Sequence, residues 1–282
     1  MSIYPKGFAG FMSGFIPPQS GLFVLNPYYY HFSGTTGAIV RNGEVELGVD
    51  MRLDAIFVQG LYVSGWKLFG GNYSFGGAVA YAWADISATA TGPLGNTVDI
   101  SAANSDVADS IITPLNLSWH SGNWHANAGL SVYAPTGLYS RGNLNIGRNV
   151  WGLIPTLAVT WFDMANGWDV SSSFAFVIPG ENDATDYQSG TVFQMDWAIG
   201  KHFGAWEIGA SGNIVQQITD DSGSGARLGA FRTQSFGVGP AINYTAMVGR
   251  APLTIGAKWQ HDISGTNTIE GDVVTASLAF VF

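Results

Sequence analysis

The 282-residue sequence predicts an all-β protein, a transmembrane antiparallel β-barrel of about twelve strands with both termini periplasmic, and three observations carry that prediction. Charged residues make up 11% of the chain and hydrophobic residues 46%, against roughly 25% charged in an ordinary soluble domain, so a water-facing surface is missing. Apolar residues alternate with polar or small ones at period two along most of the chain. Aromatic residues reach 13%, and Trp83, Trp119, Trp124, Trp161, Trp168, Trp206 and Trp259 fall within a few residues of predicted turns, where headgroups meet a barrel wall. A soluble sandwich would bury its Trp near strand centres.

Residues 1–20 stand apart from a single barrel domain at 21–282. Tyr4-Pro5-Lys6-Gly7 and Ile16-Pro17-Pro18-Gln19-Ser20-Gly21 carry breakers that stop strand or helix. Phe8, Phe11 and Phe15 are poorly suited to water, so the segment reads either as a mobile leader or as a plug inside the lumen. Strands follow near 22–33, 51–64, 73–87, 106–120, 123–134, 152–163, 167–178, 187–203, 206–218, 230–248, 252–263 and 270–282. In the strand from Trp168, the side chains of Val170, Phe174, Phe176 and Ile178 share one face, and Asp169, Ser171, Ser173 and Ala175 the other. Leu253, Ile255, Ala257 and Trp259 likewise oppose Thr254, Gly256, Lys258 and Gln260. Connections alternate between long (34–50, 88–105, 135–151, 179–186, 219–229, with a shorter one at 264–269) and generally tight (65–72, 121–122, 164–166, 204–205, 249–251), as an even barrel requires.

Several function classes drop out. The 11 Lys+Arg against 20 Asp+Glu give a net charge of −9, which lacks the basic footprint of a nucleic-acid binder. With no Cys there is no disulfide framework, thiolate nucleophile or Cys-ligated metal, and no cofactor is expected. The longest strictly apolar runs, Phe174 to Ile178 and Leu278 to Phe282, are far short of the roughly 18 residues of a membrane helix. Met1 to Lys6 does not read as an export signal; the expectation is that an initiator Met replaces one.

The inward faces suggest a pore. Asp54, Asn116, Gln194, Asp196, Glu207, Asn213, Lys258 and Gln260 are candidate lining residues, suited either to water and polar permeants or to a satisfied polar core that closes the barrel. Small inward residues, Gly76, Ala78, Ala80 and Gly209 among them, leave room for a permeant or for residues 1–20. Pro114, Pro155 and Pro240 lie within predicted strands, mark breaks in pairing and suggest a sideways exit into the bilayer. Catalysis is disfavoured: His31 and Ser33 share a face, but the Asn expected to orient the His is missing, and no HExxH, P-loop or dinucleotide fingerprint occurs. His120 and His125 read as interfacial polar residues rather than metal ligands, and the acids Glu181, Asp183, Asp186, Asp220 and Asp221 as solvated loop groups. Arg148, Arg227 and Arg232 could pair with those acids or contact lipopolysaccharide phosphates.

Short stretches in order carry a family resemblance: Gly14-Phe15-Ile16-Pro17-Pro18-Gln19-Ser20-Gly21-Leu22-Phe23 with Asn26-Pro27-Tyr28-Tyr29-Tyr30, then Gly147-Arg148-Asn149-Val150-Trp151 leading to Pro155, Asn182 to Gly190, Gln217 to Asp221, and Gly239 to Tyr244. They resemble the channel family of the "MetA-pathway of phenol degradation". The resemblance implies a monomeric twelve-stranded channel of the bacterial outer membrane for small, often aromatic, hydrophobic molecules. Its partners would be outer-membrane lipid and lipopolysaccharide, the permeant, and the barrel assembly machinery, for which Phe282 looks like the carboxy-terminal signal. The alternative is a non-transporting structural or adhesive barrel, made less attractive by short loops.

Overall fold

The structure, a computed structural model, describes residues 4–40, 45–92, 95–227, 229, 231–249 and 251–282. Thirteen antiparallel strands form: β1 (Phe23–Val40), β2 (Val45–Leu68), β3 (Gly71–Thr91), β4 (Thr97–Val107), β5 (Ser110–Ser121), β6 (Trp124–Ala134), β7 (Gly152–Asp163), β8 (Trp168–Pro179), β9 (Val192–Phe203), β10 (Trp206–Gln217), β11 (Gln234–Val248), β12 (Ala251–Thr266) and β13 (Glu270–Val281). Twelve of them close a ring, β1-β2-β3-β5 and onward to β13, which pairs back onto β1.

The additional strand is β4. Its residues 97–107 pair with the far half of β3, Tyr81 to Thr91, while β5 pairs with the near half at 72–78. The Ala108 N–H donates to the Ala80 carbonyl at 2.8 Å and carries the ladder across the break, so β4 and β5 follow one another along β3. Expected loops at 34–50 and 88–105 are therefore largely strand, and the β1–β2 and β3–β4 hairpins rise above the rest of the wall. The link between β1 and β2 and the tip of the β3–β4 link lie outside the described residues. Their outward positions, Ser33, Thr35, Asp50 and Arg52 on β1 and β2 and Asp85, Ser87, Thr89, Asp99, Ser101 and Ala103 on β3 and β4, are small or polar rather than the large apolar residues that mark a lipid-facing strand, and main-chain pairing holds them instead. Two other expected boundaries move inward, with β9 starting at Val192 and β11 at Gln234.

Outward faces carry Ile56, Val58, Val79, Leu157, Phe176, Ile199, Ile208, Ile255 and Leu278, all well exposed and set against apolar surroundings. Trp66, Trp124, Trp168, Trp206 and Phe203 ring the end with tight turns, and Lys201 lies 4.9 Å over the Trp168 ring there. Trp83 and Trp259 are mid-strand rather than near turns, because β3 and β12 are taller than expected. They belong to a second belt with Tyr29 and Tyr81, beyond which the outer face turns polar. An open recess of about 700 Å³ there is lined by Ser33, Arg52, Asp85, His261 and Asp272 among others.

Asp109, in the kink between β4 and β5, ties the 135–151 connection to the wall. Its carboxylate, 5% exposed, accepts from the Tyr133 hydroxyl at 2.9 Å and from the Gly137 and Arg148 main-chain N–H groups at 2.8 and 2.6 Å. Asp109→Ala strands the buried Tyr133 hydroxyl and two half-buried main-chain donors and should lower stability by roughly 3 kcal/mol. Urea unfolding of the detergent-folded barrel checks this, and an unshifted midpoint would show the carboxylate to be dispensable.

Candidate functional site: an occupied lumen

The N-terminal segment lies inside the barrel. From β1 it crosses the tight-turn end, where the Gly21 N–H donates to Val63 O and Val63 N–H to Leu22 O. It then climbs toward the long-loop end. Gly14 N–H donates to Thr160 Oγ1 at 2.8 Å, Asn127 Nδ2 to Ser13 O at 2.8 Å, and Met12 N–H to Asp169 Oδ2 at 2.8 Å. Higher up, Asp196 accepts from Gly7 N–H at 3.1 Å and Ala9 N–H at 2.8 Å. Lys258 Nζ, on β12, donates to Phe8 O at 2.9 Å and Ala9 O at 2.6 Å. Lys6 forms a buried ion pair with Asp262 and lies 4.9 Å over the Phe32 ring. Gln194 Nε2 donates to Tyr4 O at 3.1 Å, two residues from the start of β9. Residues 1–3 lie outside the described residues.

The three phenylalanines each have a seat. Phe8 sits against Tyr4, Tyr28 and Phe57. Phe11 lies over Gly200, where an added Cβ would come within 2.6 Å of its ring. Phe15 is 5.4 Å from the His120 ring and 4.9 Å from the His125 ring, and the two imidazoles share a 2.9 Å Nδ1···Nδ1 hydrogen bond. Gly14 passes so close to the wall that a Cβ would meet Thr160 N at 2.4 Å, His125 O at 2.7 Å and Val159 C at 2.7 Å, all main-chain atoms that cannot step aside.

Of the eight candidate lining residues, seven point inward and are covered. Asn116, Gln194, Asp196, Glu207, Asn213 and Gln260 are buried, and Lys258 is engaged by the segment. Gln260 accepts from Asn213 Nδ2 and donates to Ser211 Oγ, both at 2.9 Å, bridging β10 and β12 across the lumen side of β11. Glu207 accepts from Asn243 and lies 3.2 Å from His202 Nε2.

Asp54 is a correction: it faces outward. Its neighbour Ala55 is buried against Tyr30, Phe32 and Val273, while Ile56 and Val58, on Asp54's face, are exposed. There Asp54 accepts from the Tyr29 hydroxyl, bonds His31 Nδ1 at 2.8 Å and accepts from Arg52 Nε at 2.8 Å. This supplies the orienting partner for His31 that the sequence did not reveal, although no hydrogen bond joins Ser33 to an imidazole among the described residues. Asp169, Asp262, Thr160 and Asn127 were missed as functional residues. The first two share strand parity with Ser171 and with Gln260, and that parity was the available signal.

All three prolines sit beside gaps in the ladder. At Pro114 the register shifts on both sides, between Ser74 and Gly76 and between Ile112 and Leu115, and the Tyr73 hydroxyl takes the Pro114 carbonyl at 2.7 Å. Pro155 pairs with Leu130, but pairing toward β8 skips from Leu153 to Thr156. Pro240 pairs with Ala210, and pairing toward β12 skips from Val238 to Ala241.

The long-loop rim is internally tied. Asp221 accepts from the Tyr187 hydroxyl at 2.7 Å, Gly190 N–H at 2.9 Å and Gln217 Nε2 at 2.7 Å, and Asp220 pairs with Arg232. Burial, then the Asp221 carboxylate, pushes the Tyr187 phenol up to about 12, so it remains a donor at physiological pH. Arg148 meets Asp109 through its main chain rather than pairing with the loop acids. Among the described residues, no group of three or more His, Cys, Asp or Glu is placed to hold a metal ion.

No curated protein sequence matches the chain. Among solved structures it is similar to the COG4313 outer membrane channel from Pseudomonas putida F1, at 15% identity over 95% of this chain and 97% of that one, with a TM-score of 0.67. Weaker likenesses are to the beta domain of the Bordetella autotransporter BrkA (12% identity, 94% and 100% covered, TM-score 0.45) and to a loop-deletion mutant of OmpT, an outer membrane protein of Vibrio cholerae (8% identity, 93% and 98% covered, TM-score 0.41). The first supports the fold, a closed twelve-stranded antiparallel barrel. Residues 32–278 match the family described as "Putative MetA-pathway of phenol degradation", and the chain belongs to that family.

Proposed function

We propose that the barrel is a passive outer-membrane channel for small, largely apolar molecules, aromatic compounds among them, and that residues 4–20 are its displaceable plug. The observation that carries this reading is how the segment is held. Its polar anchors are hydrogen bonds to its main chain plus the Lys6–Asp262 ion pair, and none of the barrel's own ladders runs through residues 4–20. Water can replace such bonds at a net cost of about 0.5–1.5 kcal/mol each, more for the charged ones, without unpairing a strand. A structural barrel with no transport role would have no need of a core that separates from its wall. A twelve-stranded ring is also wider than the eight-stranded class that side chains can fill, so displacing the segment leaves a lumen. Family membership favours transport over catalysis, and the ladder gaps at Pro114, Pro155 and Pro240 favour sideways release of apolar solutes into the bilayer over a full water crossing.

Deleting residues 2–20 should convert rare or absent openings into sustained single-channel conductance in planar bilayers. A correctly folded shortened barrel that stays silent would sink the channel reading. Gly14→Val should act in the same direction from a single site, because the valine has no room beside Thr160 and His125 and must lift the foot of the plug. Protease cleavage near residues 12–16 should accelerate in parallel, and wild-type protection would count against the plug.

A further inference from the structure

We propose that the stacked Tyr28 and Phe57 rings on the inner wall form a binding site for a small uncharged aromatic ring, which Phe8 occupies as a tethered internal ligand until a permeant displaces it. This rests on the channel reading above and adds the ligand class and the trigger for opening.

The wall half of the site does not depend on the plug. Tyr28 and Phe57 are cross-strand partners on β1 and β2, and their rings stack at 4.8 Å with 4° between planes. Tyr30 stands edge-on to Phe57 at 6.3 Å. Phe8 stands edge-to-face with this platform, 4.5 Å and 71° from Tyr28 and 6.4 Å and 72° from Phe57, with Tyr4 at 5.7 Å from Phe8. Edge-to-face geometry at these distances is favourable beyond the area it buries. Tyr28 is buried and Phe8 only half-buried, so the occupant of the platform is less enclosed than the platform itself.

The main chain around Phe8 is held without regard to its side chain. Asp196 takes the N–H groups of Gly7 and Ala9, and Lys258 takes the carbonyls of Phe8 and Ala9. Those bonds would hold any residue at position 8. What a phenyl group adds is occupation of an aromatic site fixed by the barrel. A free ring that binds the platform only when Phe8 has left it shifts the plug toward release by its differential affinity for the two states. The tether gives Phe8 an effective concentration on the order of millimolar, so a competitor acts in that range or above it.

Benzyl alcohol is the probe, at about 1–30 mM, with cyclohexylmethanol as the saturated ring of similar size. It should raise the open probability of the refolded wild-type chain in planar bilayers by roughly three- to tenfold, with a clearly smaller effect of the saturated ring. Phe8→Ala should open without ligand by a similar factor and lose the response. The barrel lacking residues 2–20 reports any effect of the alcohol on the bilayer itself. A wild type indifferent to benzyl alcohol beside a conducting shortened barrel overturns the internal-ligand proposal and leaves the channel reading standing. Equal potency of the saturated ring overturns the aromatic class, and a silent shortened barrel overturns the channel reading and this proposal with it.

Discussion

The closed main-chain ladder is the constraint from which the rest of this molecule follows. In lipid, no water is present to satisfy strand N–H and C=O groups, so the sheet must return on itself, as β13 does onto β1. Closure at twelve strands creates a lumen that side chains alone do not fill. The chain fills it with its own N-terminal segment, and that brings unpaired peptide groups into a buried space. The wall answers them with Asp169, Asp196, Thr160 and Lys258, whose placement makes sense as partners for a peptide rather than as lining for water. Buried carboxylates that would be costly in an empty apolar channel are thereby hydrogen-bonded, and Lys6 arrives with the segment to meet Asp262.

The same constraint explains the uneven height of the wall. Within lipid, each strand needs neighbours on both sides; above it, a strand can present an open edge to water. β4 does so, pairing only with β3, and its outward positions are small or polar, as in Asp99, Ser101 and Ala103. The boundary between the regimes is drawn by the belt of Tyr29, Trp83 and Trp259. Here Trp259 Nε1 and His261 Nδ1 both meet Asp272, at 2.7 and 3.0 Å, and Asp54 gathers Tyr29, His31 and Arg52. Rings with an apolar body and a polar tip suit this zone, and carboxylates there keep access to headgroup water.

The barrel was legible in the sequence because period-two alternation of large apolar residues is a direct imprint of a wall with two solvents. Where the outer solvent is water on both sides, as along residues 34–40 and 97–105, the imprint fades and strand resembles loop. Polarity alone puts Asp54 on the inner face; its parity with Ile56 and Val58 puts it on the outer one, and parity is the stronger signal in a pleated strand. The inward polar residues were legible as a set, and their partner was not. Nothing local in Asp196 or Lys258 announces that residues 7–9 lie between them, since the bonds run to main chain more than 180 positions away. Only the three phenylalanines hinted that residues 1–20 avoid water.

A displaceable plug, the role proposed for residues 4–20, must satisfy two opposed demands, and the division of labour between the segment's main chain and side chains suits both. Tight, shape-specific packing along the whole segment would seal the barrel and hold it shut. Main-chain bonds to wall carboxylates, hydroxyls and a lysine seal it with groups that hydrate readily when released, so the free energy of opening is a sum of small net terms rather than the loss of a core. Register still has to be fixed, and the aromatic seats do this: Phe8 on Tyr28 and Phe57, Phe11 over Gly200, and Phe15 against the paired histidines. Meanwhile the ladders of β1 to β13 do not run through the segment and would be untouched by its departure, apart from the hinge where Gly21 and Leu22 meet Val63. On the proposed plug reading the barrel would keep its shape in lipid while its interior changes state, which a lumen closed by residues of the wall itself could not do.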